Sequence, residues 1–90
     1  MAKYRVENTK RVVKAIGSHG EDATGVVNVT QVWDDEEGIG VELPYRDIIA
    51  DPDNGRNPFL TPDGRDHARE VAERIEEYIK QNNIEVWQES

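Results

Sequence analysis

The chain has 90 residues, no cysteine and a net charge of −8, with 36% hydrophobic and 33% charged residues. That excludes disulfide frameworks, thiolate metal sites and cysteine nucleophiles, and it leaves one domain, residues 1–90, able to hide only about 60 to 68% of its unfolded surface. Residues 1–16 hold five bases against Glu7, residues 17–60 ten acids against two arginines, and residues 61–90 eight acids against four bases. The middle is therefore an acidic pole, which disfavours direct contact with nucleic acid or an anionic membrane and favours a basic partner.

The opening run MAKYRVENTK lacks the apolar centre of a signal peptide, and no stretch approaches the roughly 18 apolar residues of a membrane span. A soluble, cytoplasmic protein is expected. After a first strand in KYRVE, the apolar positions Val12, Val13, Ala15 and Ile16 predict a short helix over 8–16, capped by Asn8 or Thr9; a second strand is the alternative, since Val and Ile favour strands. GSHGEDATG then reads as a polar connector.

From Gly25 two runs alternate. GVVNVTQVW, residues 25–33, sets Val27, Val29, Gln31 and Trp33 on one face, and IGVELPY, residues 39–45, sets Ile39, Val41, Leu43 and Tyr45 on one face. Pairing them with Trp33 opposite Ile39 joins the two apolar sets and predicts a β-hairpin. Asp35, Glu36 and Glu37 then occupy the tip, where side chains need not be buried, and Gly38 is free to adopt the left-handed conformation.

Residues 46–60 are rich in turn signals. Asp51, Asp53 and Gly55 resemble a calcium loop, but the glycine comes one position early and Pro62 stands where a bidentate glutamate is needed. The next segment predicts a helix over 62–81, with Thr61 as N-cap, Pro62 at the first position, and Asp63 and Asp66 in the first turn. Ala68, Val71, Ala72, Ile75, Tyr78 and Ile79 form its apolar stripe. Asn82 and Asn83 end it, and a last strand is expected over 84–88.

No constellation specifies a reaction. His19 and His67 are the two imidazoles, and His67 shares a helical face with Asp63 and Glu70, but the paired histidines of a helical zinc site are missing. Ser18 and Ser90 lie outside any nucleophile elbow, and EEGIGVE offers two of three dinucleotide-loop glycines with no helix after them. No catalytic residue, metal site or cofactor is expected. The tryptophans are the candidate anchors: Trp33 at the end of the apolar face, and Trp87 pointing away from Ile84 and Val86.

The run VTQVWDDEEGIGVELPYRDII followed by DHAREVAERIEEYI resembles the hairpin and helix of HicB-type antitoxins. The likeness covers about half of the chain; the Gly-Asp-Thr approach to the helix is replaced by a longer loop, so it carries over no site residues.

The expected fold is α+β: a small antiparallel sheet, made of the hairpin 25–33/39–45 and the strand 84–88, packed against the helix 62–81. The expected function is a non-catalytic module that docks on a basic, nucleic-acid-handling protein and inhibits it, as antitoxins, immunity proteins and phage-encoded inhibitors do. Asp34, Asp35, Glu36, Glu37 and Glu42 would supply charge, and Trp33 and Trp87 anchorage. Same-face strand side chains repeat at about 6.6 Å, which lets carboxylates imitate phosphates. The alternatives are a homodimer formed through a strand edge or the Trp87 face, and an enzyme that binds a small ligand or metal.

Overall fold

A computed structural model describes residues 4–16, 20, 22–51 and 58–87. It is an α+β fold of four strands, β1 (Tyr4–Ile16), β2 (Asp22–Asp34), β3 (Ile39–Leu43) and β4 (Asp47–Ala50), followed by a 3-10 turn (Pro58–Leu60) and helix α1 (Pro62–Gln81). The sheet is antiparallel throughout, in the order β1-β2-β3-β4. Residues 52–57, which carry most of the calcium-loop likeness, lie outside the described residues, as do Ser18, His19 and Ser90.

The helix forms where its stripe and caps place it. Thr61 is extended, with φ −126° and ψ 152°, and its hydroxyl accepts from the Gly64 N–H at 3.0 Å, satisfying one of the orphan donors of the first turn. Ala68, Val71, Ala72 and Ile75 are buried against Val32, Ile39, Val41 and Leu43, with Ile48, Tyr78 and Ile79 at the margin. At one end of this layer Tyr4 stacks on Tyr78, ring centroids 4.5 Å apart.

Two expectations fail at the N-terminus and in the hairpin. Residues 8–16 are not a helix but the greater part of β1, which pairs with β2 without interruption from Tyr4↔Asp34 to Ile16↔Asp22. A nine-residue helix is marginal alone, whereas Val6, Thr9, Val12 and Val13 suit a strand that finds a full-length partner. Asn8 is not a cap: its Oδ1 accepts from the Thr30 hydroxyl at 2.8 Å.

The hairpin is one residue out of the expected register. Trp33 faces Gly40, with Asp34↔Ile39, Val32↔Val41 and Thr30↔Leu43. Val32 therefore packs against the helix, with Thr30 and Asp34 buried on the same side, and Trp33 and Gln31 turn to the open face. Room decides this. A Cβ on Gly40 would lie 2.8 Å from the Trp33 ring, so the indole rests on a glycine that no other residue could replace without displacement. Gly40→Ala is expected to cost about 1 to 3 kcal/mol through overpacking, visible as a lower denaturation midpoint together with a changed near-UV signal from Trp33.

The C-terminal segment also departs from expectation. Residues 84–87 form no strand; Ile84 and Val86 pack on the core, and the Trp87 N–H donates to the Thr30 hydroxyl at 2.6 Å. Thr30 lies on the helix side, so this segment lies across the face of the sheet and not along an edge.

β3 meets only residues 30–34 of β2. Beyond Arg11, which is tied to β3 and β4, residues 12–16 and 22–26 extend past the body as a two-stranded ribbon, with Val12 and Val26 exposed, in keeping with a longest dimension of 49 Å.

Candidate functional site

The sequence singles out Trp33, Asp34, Asp35, Glu36, Glu37, Glu42 and Trp87, and the fold scatters them. Residues 35–38 form the turn between β2 and β3, with Gly38 at φ +68° and its N–H donating to the Asp34 carbonyl at 2.9 Å. Asp35 and Glu36 are exposed at this tip and Glu37 is half-buried.

Asp34 is not part of the exposed tip. It is fully buried opposite Tyr4 and Ile39, and its Oδ1 accepts from the Glu36 and Glu37 N–H groups at 3.1 and 3.2 Å. The side chain thus folds the turn from beneath. Its Oδ2 is buried and has no hydrogen-bond partner among the described residues.

Glu42 is likewise withdrawn. Its side chain is 6% exposed on the open face, held by Arg11 at 2.6 Å and by Gln31 at 3.0 Å. Arg11 starts on β1 opposite Val27 and crosses β2 to reach Glu42, which stands opposite Gln31; it also meets Asp47 of β4 at 3.1 Å. The indole N–H of Trp33 continues the chain by donating to Gln31 at 3.2 Å. One arginine so ties three strands together. The Arg11 guanidinium is held above its ordinary range by its bond to Asp47 and then by Glu42, so it stays charged.

Trp33 is capped by Arg5, whose guanidinium lies 5.8 Å from the ring centroid, a cation–π distance. Arg5 also bonds Asp35 at 3.0 Å and pairs with Glu7; the Asp35 bond first, with Glu7 adding to it, raises its pKa. Trp33 on the open face and Trp87 on the helix face are on opposite sides of the sheet, so they do not form one anchor.

His67 on α1 contacts the Glu37 carboxylate. The helical face of Asp63, His67 and Glu70 is thereby placed beside the hairpin tip, because positions three and four residues away flank His67. Asp63 and Glu70 are both exposed. Asp35, Glu36 and Glu37 lie together in the turn, and Asp63 and Glu70 stand one helical turn to either side of the His67 that meets Glu37; the last two went unassigned in the sequence because nothing local announces which helix face abuts the tip.

Among the described residues no group of three or more His, Cys, Asp or Glu side chains is arranged to hold a metal ion, and no helix is long and apolar enough to cross a membrane. Comparison of the chain with family models, curated proteins and solved structures finds no match.

Proposed function

We propose that the protein is a non-catalytic binding module that seats its acidic end on a basic partner protein. The supporting observation is the His67–Glu37 contact, which joins the acids of the tip to those of the helix in one surface. Asp34 and Glu42 give no charge to this surface, since both are buried, and Asp35 is offset by Arg5, so Glu36, Glu37, Asp63 and Glu70 carry it.

Rigidity favours this reading. Held from below by Asp34 and from the side by His67, the tip loses little conformational freedom on binding, which lowers the cost of association. The charged groups set encounter rate and partner choice more than raw affinity. A protein that grips nucleic acid offers the complementary basic groove, and filling that groove would inhibit it.

The test compares two charge reversals of equal size. Glu36→Lys with Glu70→Lys alters the acidic end, while Glu76→Lys with Glu77→Lys alters exposed positions farther along α1. With a basic protein captured from the source lysate as ligand, the first pair is expected to weaken binding by about tenfold or more, chiefly through a slower on-rate that also falls with added salt. The second pair should leave binding largely intact. Equal binding by both variants would overturn the proposal.

A further inference from the structure

β1 is the first strand of the sheet and is thirteen residues long, so its whole outer edge carries no strand among the described residues. Two exposed valines lie along it, Val6 at 41% and Val12 at 61%, both with the parity of the helix side. Edges of this length are normally blunted or paired. We infer that this edge pairs antiparallel with β1 of a second copy, about a twofold axis through Thr9.

The register follows from symmetry and charge. A twofold axis normal to a sheet keeps each face on its own side, so opposed residues share parity and the axis passes through a residue. Take the registers that engage at least two thirds of β1. Centring on Asn8 or on Arg11 opposes Lys10 to an exposed valine, Val6 or Val12, while centring on Lys10 opposes Lys10 to itself and on Val12 opposes Lys10 to Lys14. Like charges directly opposed are destabilising. Centring on Thr9 avoids all of these and sets Asn8 against Lys10 and Val6 against Val12 of the second copy, while Arg11 keeps Glu42 and Asp47 of its own chain.

Two further features of the monomer fit that register. The apolar row Ile48–Val41–Val32–Val6 runs across the helix face and ends at the edge; in the pair, Val12 and Val26 of the second copy continue it. Both of those valines are exposed in the single chain. On the same face a hollow beside the edge is bounded by Asn8, Glu85, Val86 and Trp87. Lys10 of the second copy stands opposite Asn8, which brings its ammonium to Glu85. The dimer would join the two sheets into one of eight strands with both helices on one side, and it stands whether or not the acidic end docks a partner.

The test uses the full chain, which has no cysteine of its own. Light scattering should give twice the 10.3 kDa chain mass. Val12→Lys, at a site too exposed to disturb the core, should weaken the dimer by roughly tenfold or more, because it strikes two symmetric apolar pairs at once. Under oxidation Thr9→Cys should cross-link to itself, since directly opposed strand residues fall within disulfide reach. Val6→Cys and Val12→Cys should each fail alone and cross-link when mixed. A monomer at every concentration would overturn the proposal, as would a dimer that Val12→Lys leaves intact or a mixture of Val6→Cys and Val12→Cys that does not cross-link.

Discussion

Replacing Ile75 with alanine is expected to destabilise the protein by about 2 to 5 kcal/mol, the largest effect of any single substitution considered. Ile75 is the largest of the fully buried side chains and packs in the layer between α1 and the sheet. Truncation removes its transfer free energy and leaves a cavity that the β-branched neighbours Val32, Val41 and Val71 cannot easily close. Domains of this class are stable by only about 5 to 15 kcal/mol in total. A urea titration should therefore show a much lower midpoint for Ile75→Ala, whereas Ile75→Val should lose only about 0.5 to 1.5 kcal/mol. If alanine and valine behaved alike, Ile75 would not sit in a close-packed layer.

The second large effect is expected at Asp34, where geometry and charge separate. Asp34→Ala deletes the acceptor for two backbone N–H groups of the turn and should cost about 1 to 3 kcal/mol. Asp34→Asn keeps an oxygen in that place and removes a carboxylate whose second oxygen is buried without a partner among the described residues. Burying an incompletely satisfied charge is costly. The asparagine variant should therefore match or exceed the wild type in thermal stability, and a loss as large as that of alanine would show that the charge itself is needed. Weakened docking by the alanine variant at temperatures where it remains folded would further tie turn rigidity to the proposed acidic surface.

The helix was legible from the sequence to its boundaries, because Thr61 and Pro62 mark its start, Asn82 its end, and the 3.6-residue stripe leaves one choice of inward face. The hairpin was legible in place but not in register. Both parities of β2 carry valines, so alternation alone could not say whether Val32 or Trp33 faces the core; that depended on Gly40, whose missing side chain accommodates an indole from the neighbouring strand. The start of β1 was legible in KYRVE and its continuation over 8–16 only as the alternative to a helix, since Val12, Val13, Ala15 and Ile16 fit either period and the partner strand is distant in sequence. Of the acidic site, Asp35, Glu36 and Glu37 were readable from the turn, while Asp34 and Glu42 were misplaced. The fate of a strand carboxylate depends on what the neighbouring strand sends across, and Arg11 comes from thirty-one residues away.

Beyond Arg11 and Val27 the β1–β2 pair that overhangs the body has a single layer, with neither helix nor third strand against it among the described residues. Two-stranded ribbons are marginal alone in water. Deuterium uptake should therefore be graded along one continuous pair of strands: amides of residues 30–34 exchange only when the whole domain opens, and those of 12–14 and 24–26 through local fraying. In a dimer joined at Thr9 the slow zone would spread along β1 as protein concentration rises.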